Sequence, residues 1–525
     1  MVPVGAARTS QSQDRNTRAV VRSSGSFDFS DVTFRDLQER FASGSLTSLA
    51  LTQAYLRRIE EIDRGGPSLC SIIETNPEAE ELANDLDRER ERSGPRSPLH
   101  GIPIVVKDNL ESADRMTTTA GSLALEGVVA SRDATVVRRL RRAGAVILAK
   151  ANMSEWAYFR STHGSSGWSA RGGQGRNPYA LDRSPLGSSS GSAAAVAANL
   201  CAAAIGTETD GSLVTPAAAN CIVSIKPTVG LTSRAGVIPI SSSQDTVGPM
   251  CRTVADAAAL LTAIAGPDPA DASTSAAPTI DYSRYLDPTA LRGARIGVPR
   301  RTFFGYSDKA DAIIDQAIEV MAREGAVIVD PANIPNSELL TFLGPELTVL
   351  LYEFKAGINR YLGSLGPLAH AHSLKELIAF NEAHAEQEMP YFGQELFHMA
   401  DQVGSLTDAT YLNALEQNRA RSRTNGLDAV FASQRLDALV MPTTSPPWKI
   451  DLITGDHIQG LGSSPAAQAG YPLVAVPAGF SHGLPVGLIL GGPAFSEPKL
   501  IALAYAFEQA QRVRVEPQFL SSVGS

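Results

Sequence analysis

Apolar residues return every three or four positions in the first clearly patterned stretch of the chain. Phe34, Leu37 and Phe41 follow this spacing, and it recurs over residues 51–59. The spacing places apolar side chains on one face of a helix, and that face packs on a core. The pattern therefore predicts two amphipathic helices here.

Short, continuous apolar runs follow and alternate with helical patterns. Residues 102–106 and 145–149 are two such runs, and a helical pattern over 134–142 separates them. Such runs are typical of buried strands, and a strand–helix–strand order places helices on the faces of a sheet. Further strands are predicted at 291–298, 326–329, 438–442, 473–477 and 484–490, and helices at 254–265 and 309–324. The prediction is an α/β fold with a central mixed β-sheet that α-helices cover on both faces.

Two long stretches do not follow this alternation. Residues 160–249 are rich in Gly and Ser, and we expect loops there with an Ala-rich helix that starts near Ser192. Residues 335–435 have helical patterns and more charge, so we expect a helical cap. Residues 1–27 are polar and rich in Arg and Ser, which predicts a disordered leader before a single domain at 28–525.

Composition narrows the classes of partner and cofactor. The net charge of −9 without a compensating basic stretch argues against a nucleic acid or an anionic membrane. The chain has no apolar run of about 18 residues for a membrane span and no secretory signal, so we expect a cytoplasmic protein. Its four cysteines form no Cys-x-x-Cys pair and its eight histidines no clear ligand pair. We therefore expect no metal and no cofactor, and a monomer or homodimer that binds a small-molecule or peptide substrate.

One window of the chain is nearly free of charge. Residues 184–224 contain no Lys or Arg, and Glu208 and Asp210 are the acids of this window. The rest is mostly Gly, Ser and Ala. Such a window is suited to burial, but each buried hydroxyl needs a hydrogen-bond partner. The pattern indicates a reaction centre.

A histidine-assisted serine is the first hypothesis that this window suggests. Gly-Ser-Ser-Ser-Gly at 187–191 matches G-x-S-x-G, with Ser189 as the nucleophile. That motif requires an apolar strand directly before it, but 180–185 is not apolar. It also requires a histidine, and His457 and His482 both lie in Gly/Pro-rich segments. The sequence therefore disfavours this hypothesis.

A lysine can replace histidine in activating a serine. Lys107 ends the apolar run, and burial lowers the pKa of a lysine because it disfavours the charged form. A neutral Lys107 could accept a proton from Ser212 through Ser188, and N–H groups of residues 209–212 could hold the oxyanion. Two simpler interpretations stay open on the residues alone: Lys107 extends from a strand end to solvent, and the loop is a structural turn.

Several motifs resemble the amidase signature family. They are V-V-K-D-N at 105–109, S-P-L-G-S-S-S-G-S-A-A-A at 184–195, G-T-E-T-D-G-S-L-V-T-P at 206–216 and I-K-P-T at 225–228. Segments at 152–157, 166–174, 350–356, 392–396 and 484–488 resemble its bacterial peptide amidase branch. The resemblance covers roughly residues 33–515, with a signature core at about 98–260 and the cap at about 335–435.

The resemblance implies an amidase signature fold and a Ser-cisSer-Lys triad. Ser212 is then the acyl-enzyme nucleophile, Ser188 the bridging serine on a cis peptide, and Lys107 the base. Ser189 and Gly187 become supporting residues. The expected oxyanion hole consists of the backbone N–H groups of Thr209, Asp210, Gly211 and Ser212.

The chain departs from the usual family pattern beside the nucleophile. Asp210 stands where the family has glycine in G-T-D-T-G-G-S. Its carboxylate must point away from the developing anion or be paired. Because the peptide amidase branch shares E-T-D-G-S, we interpret Asp210 as a mark of that branch.

The resulting hypothesis is a serine amidohydrolase that cleaves a carboxamide C–N bond through an acyl-enzyme. The branch implies deamidation of C-terminal peptide amides to the free acid and ammonia. An aryl-acylamidase, or a broad amide and ester hydrolase, is the alternative within the class, because the cap and the loops near Trp168 and Trp448 set the substrate. A glutaminase-type subunit of an amidotransferase, and a non-catalytic binding protein, are alternatives of other classes.

Overall fold

The computed structural model describes residues 28–523, and the predicted leader at 1–27 lies outside them. The strands in chain order are β1 Ile72–Thr75, β2 Pro103–Lys107, β3 Val146–Ala151, β4 Trp168–Ser169, β5 Gly173–Gln174, β6 Ala203–Glu208, β7 Val223–Lys226, β8 Thr246–Cys251, β9 Arg295–Gly297, β10 Val327–Val329, β11 Ala438–Pro442, β12 Leu473–Ser481 and β13 Leu484–Gly491.

The helices, in chain order, flank these strands. They are α1 Phe34–Ala42, α2 Ser48–Arg58, α3 Ala79–Ser93, α4 Thr135–Arg142, α5 Ser190–Ala197, α6 Val214–Ala219, α7 Val254–Ile264, α8 Arg300–Phe303, α9 Asp308–Arg323, α10 Leu347–Gly363, α11 Leu374–Ala383, α12 Ala385–Glu388, α13 Glu395–Gln402, α14 Ala409–Arg419, α15 Asp428–Gln434, α16 Ser464–Ala469 and α17 Glu497–Ala510. Within the described residues, no helix is long and apolar enough to cross a membrane.

Eleven strands of the described chain form one sheet in the order β1-β3-β2-β6-β8-β7-β12-β13-β11-β9-β10. β2 runs parallel to β3 and β6, whereas β8 runs antiparallel to β6 and β7. The sheet is therefore mixed, and the predicted fold class is confirmed. The two predicted N-terminal helices are present as α1 and α2, and the Thr47 side chain caps α2 by accepting from the N–H of Ala50.

The expected Ala-rich helix near Ser192 is confirmed as α5, but the expectation of loops for the rest of 160–249 is wrong. This stretch contributes three central strands, β6, β7 and β8. β6 and β8 pair through Gly206 and Gly248, and a Cβ on Gly248 would lie 2.0 Å from the Ile225 carbonyl oxygen. Because backbone and side chains approach so closely here, β6 uses Ala and Gly, and β8 uses Gly248, where most buried strands use β-branched residues. This composition resembles that of a loop and hides β6 in particular from a pattern search.

The segment 335–435 is helical in the structure and has an apolar cluster of its own. Phe354 of α10, Leu377 of α11 and Phe397 of α13 pack in this cluster. Trp156 and Phe159, which follow β3, lie in the same cluster. The helical segment therefore packs against the residues that follow β3.

Candidate active site

Lys107 is the last residue of β2 and is completely buried. Its Nζ lies 2.8 Å from Ser188 Oγ and 3.1 Å from Ser189 Oγ. It also lies 2.9 Å from Thr207 Oγ1 and 3.3 Å from the Thr207 carbonyl oxygen. The interpretation in which Lys107 reaches solvent from a strand end is therefore wrong.

The surroundings of Lys107 favour its neutral form. Burial lowers the pKa of Lys107 to about 7, although the negative charges of Asp245 and Glu208 oppose the shift. Among the described residues, no carboxylate lies within ion-pair distance of its Nζ. A substantial fraction of Lys107 is therefore an uncharged amine at neutral pH, which can accept a proton.

The first serine loop precedes α5 and brings Ser188 to Lys107. The Gly187–Ser188 peptide is cis, as the family resemblance implies. The Ser188 carbonyl accepts a hydrogen bond from the N–H of Ser154 at 3.1 Å. A Cβ on Gly187 would lie 2.3 Å from Ser154 Oγ, so this position has no room for a side chain.

The second serine loop connects β6 to α6 and carries Ser212. Gly211 has a φ of +81°, a conformation that favours glycine. The N–H of Ser189 donates to the Ser212 carbonyl at 3.2 Å. Thr215 Oγ1 lies 3.0 Å from the Gly187 carbonyl and 2.9 Å from the Gly211 carbonyl. The two loops are therefore tied together, although no hydrogen bond joins the Ser188 and Ser212 hydroxyls within the described residues.

The backbone N–H groups of the turn from Thr209 to Ser212 are available to bind a ligand. Within residues 28–523, none of these four amides donates a hydrogen bond to the protein. The next amides along the chain are all used: Leu213 and Val214 donate to Glu208, and Thr215 donates to the Gly211 carbonyl. A run of free amides beside a serine hydroxyl is suited to an anion.

Both acids of this region have partners. Glu208 Oε2 accepts from the N–H groups of Leu213 at 2.6 Å and Val214 at 3.1 Å, at the start of α6. Asp210 Oδ1 accepts from Ser463 Oγ at 2.5 Å, and its Oδ2 accepts from Ser464 Oγ at 2.7 Å. The Asp210 carboxylate is thus paired with serine hydroxyls, as the departure from the family pattern requires.

The histidine-assisted alternative finds no support in the geometry. Ser189 Oγ contacts Lys107 and the Thr207 backbone. His457 and His482 are exposed; the first contacts Asp451 and the second contacts Ser481. In the part of the chain that the structure describes, no group of three His, Cys, Asp or Glu residues could hold a metal.

Comparison with known proteins identifies the family. The sequence profile of the amidase family matches residues 50–501. The chain belongs to the amidase family. It is therefore an amide-hydrolysing enzyme, and the resemblance described from its motifs is confirmed.

Three relatives of this amidase show how far the likeness extends. The crystal structure of the native peptide amidase from Stenotrophomonas maltophilia is 52% identical, covers 94% of this chain and 100% of its own, and has a TM-score of 0.90. A probable amidase of Arabidopsis thaliana is 44% identical over 95% of this chain and 94% of its own length. One component of the glutamyl-tRNA(Gln) amidotransferase of Symbiobacterium thermophilum is 36% identical over 91% of this chain and 96% of its own length.

Sequence reasoning missed three polar residues of the site. Thr207 contacts Lys107 through both its hydroxyl and its carbonyl, and Asn109 donates to the same hydroxyl at 3.0 Å. Thr215 joins the serine loops. All three residues lie inside motifs of the family resemblance, but their contacts cross between chain segments.

The two loops that were expected to set substrate choice lie side by side. Asp456 joins them, because its carboxylate accepts from Trp448 Nε1 at 2.9 Å and from the N–H of Ser166 at 3.0 Å. Trp168 packs edge-on against Phe392 from the helical segment, with ring centroids 5.1 Å apart. The fully buried Arg160 lies over both rings. This aromatic cluster joins the helical segment to the loop that carries Trp168.

Proposed function

We propose that this amidase cleaves carboxamide bonds through Ser212, Ser188 and Lys107. The neutral Lys107 amine accepts a proton from Ser188, and Ser188 accepts one from Ser212. Ser212 Oγ then bonds to the amide carbon, and the carbonyl electron pair moves to oxygen, where the N–H groups of residues 209–212 stabilise it. The C–N bond breaks as the proton returns to the leaving nitrogen, and water hydrolyses the ester.

The contact between Lys107 and Ser188 carries this proposal. A 2.8 Å hydrogen bond joins a fully buried amine to the hydroxyl of Ser188, and the N–H of the next residue, Ser189, donates to the Ser212 carbonyl. A lysine is a useful base only if it loses its proton near the working pH, and burial lowers the pKa of Lys107 to about 7. The free amides of the turn support the assignment of the oxyanion hole.

We propose C-terminal peptide amides as the substrates, with the free acid and ammonia as products. The 52% identity to a peptide amidase over nearly the whole chain supports this choice. The paired Asp210, which is characteristic of the same branch, supports it as well. The group that leaves the amide carbon is then ammonia, which is small and neutral, and the free acid leaves Ser212 when water hydrolyses the ester.

Ammonia release from a panel of amides tests the substrate. We expect turnover of peptide amides to exceed that of peptide anilides and of free glutamine. Faster cleavage of the anilides would favour an aryl-acylamidase. Turnover of glutamine that depends on an added partner would favour the amidotransferase class, to which the 36% identical relative belongs.

Replacement of the nucleophile tests the chemistry. Ser212→Ala should abolish turnover and the adduct that a fluorophosphonate probe forms, and peptide mapping should place that adduct on Ser212. Ser192→Ala is the matched control, because Ser192 is also buried but its hydroxyl donates only to the Ile205 carbonyl at 3.1 Å. Wild-type turnover in Ser212→Ala would refute the assignment.

A further inference from the structure

The Thr209–Ser212 turn has a contact through the Thr209 carbonyl that the proposed chemistry does not use. Gln244 Nε2 lies 3.4 Å from the Thr209 carbonyl oxygen and 2.8 Å from Glu346 Oε1. Gln244 comes from the loop before β8, and Glu346 directly precedes α10 of the helical segment. Both side chains are almost completely buried. The turn is therefore connected through a glutamine to a segment more than a hundred residues away.

The Thr209 carbonyl and the Asp210 N–H belong to one planar peptide group. In a trans peptide the two bonds point in opposite directions, so a donor on the carbonyl fixes the direction of the N–H. A hydrogen bond to the carbonyl also polarises the N–H and strengthens it as a donor. The Asp210 N–H has no acceptor within the described protein. Gln244, which donates to the carbonyl of the same peptide group, therefore sets the direction of this N–H.

Gln244 is itself held from two sides. Its own N–H donates to Ser241 Oγ at 3.1 Å, and its side-chain amide donates to Glu346. Glu346 Oε2 accepts from Gln468 Nε2 at 3.0 Å. Burial, and then the charge of Asp210, raise the pKa of the Glu346 carboxyl. The group that holds Gln244 therefore favours its uncharged form, which keeps a further negative charge away from the developing oxyanion.

We propose that Gln244 is a positioning residue that aims the Asp210 N–H at the oxyanion, and that Glu346 of the helical segment holds Gln244 in place. This inference rests on the proposed function of the Thr209–Ser212 turn. It gives the segment 335–435 a part in the chemical step besides any part in substrate choice. Loss of this positioning should lower kcat, because the oxyanion forms only after the substrate has bound.

Gln244→Leu removes the donor and keeps the size of the side chain. Loss of a whole oxyanion donor typically costs about 10²–10³-fold in kcat, and we expect about tenfold here because the N–H remains but is no longer fixed. KM should change little. Binding of a peptide aldehyde, which forms a tetrahedral adduct with the serine, should weaken by a similar factor, while binding of the corresponding peptide alcohol should not.

Gln394→Leu is the matched control. Gln394 is a buried glutamine of the helical segment that donates to the Ile378 carbonyl at 3.1 Å and does not contact the turn. Equal losses of kcat in the two variants, or unchanged kcat and aldehyde binding in a folded Gln244→Leu protein, would overturn the inference. If Gln244→Leu does not fold, the pair Glu346→Leu and Glu346→Gln decides. The glutamine keeps an oxygen for Gln244, so it should recover most of the kcat that leucine loses, and equal losses in both would overturn the inference.

The two proposals fail in different ways. A wild-type enzyme that forms no adduct on Ser212 would refute the proposed function. Formation of the adduct on Ser212, together with an unchanged kcat and aldehyde affinity in Gln244→Leu, would refute only this inference.

Discussion

Two lysines of this amidase end buried strands, and they differ in what surrounds them. Lys107 ends β2 and Lys226 ends β7, and neither is exposed to solvent. Burial lowers the pKa of both side chains. A search for buried lysines with lowered pKa would therefore return both, together with Lys150 of β3.

Their contacts separate them. Lys107 faces the hydroxyls of Ser188, Ser189 and Thr207. Lys226 Nζ donates to the Tyr471 carbonyl at 2.7 Å, and the charges of Glu208, Glu497 and Asp210 favour its charged form. The first lysine has a proton donor within reach, and the second has acceptors and counter-charges. Burial therefore makes a lysine a possible base, and a serine hydroxyl within hydrogen-bond distance can supply the proton that this base accepts.

The largest expected effect comes from replacing each lysine by methionine. Lys107→Met removes the base, and we expect kcat to fall by about 10²–10⁴-fold. Lys226→Met leaves a buried carbonyl and nearby carboxylates without their cation, so we expect a loss of about 1–3 kcal/mol in the free energy of unfolding. Its kcat should stay close to that of the parent. Steady-state kinetics and denaturant unfolding on both variants check this. A large loss of kcat in Lys226→Met with little loss in Lys107→Met would contradict the assignment of Lys107 as the base.

The pH profile of kcat/KM gives the next effect. Lys107 must be neutral to accept a proton, and its pKa is about 7. Below that value the lysine is protonated, so kcat/KM should rise about tenfold per pH unit on the acid side and level off above pH 7. Lys226→Met should keep the midpoint. A profile without an acid limb near pH 7 would contradict the assignment of Lys107.

The smallest expected effect comes from replacing Glu208, an acid whose charge raises the pKa of both lysines. Glu208 opposes the lowering of the pKa of Lys107 and of Lys226, whereas Glu497 does so for Lys226. Glu208→Gln should therefore move the midpoint of the kcat/KM profile to lower pH, by a fraction of one unit. Glu497→Gln is the matched control, since Glu497 is also buried and accepts from the N–H of Thr228 at 2.7 Å. A shift toward higher pH in Glu208→Gln, or equal shifts in both variants, would show that the comparison of the two lysines is wrong.

The sequence predicted the parts of this site that are short and local. Lys107 at the end of an apolar strand, and the charge-poor window around Ser188 and Ser212, are visible because each lies within one segment. β6 and β8 were missed because the approach at Gly206 and Gly248 requires small residues, which resemble loop composition. Contacts such as Gln244 to Glu346 join residues 102 positions apart, and no local pattern reports them.

The pairing of Asp210 has a consequence for how the enzyme is made. Ser463 and Ser464, which bind its carboxylate, lie 253 and 254 positions later in the chain. Ribosomes add about 5–20 residues per second, so these serines follow Asp210 by roughly 10–50 seconds. During that interval the nascent chain already contains Lys107, Ser188 and Ser212 but not the hydroxyls that bind the neighbouring acid. The amidase therefore cannot complete the surroundings of this turn until its last strands are being synthesised.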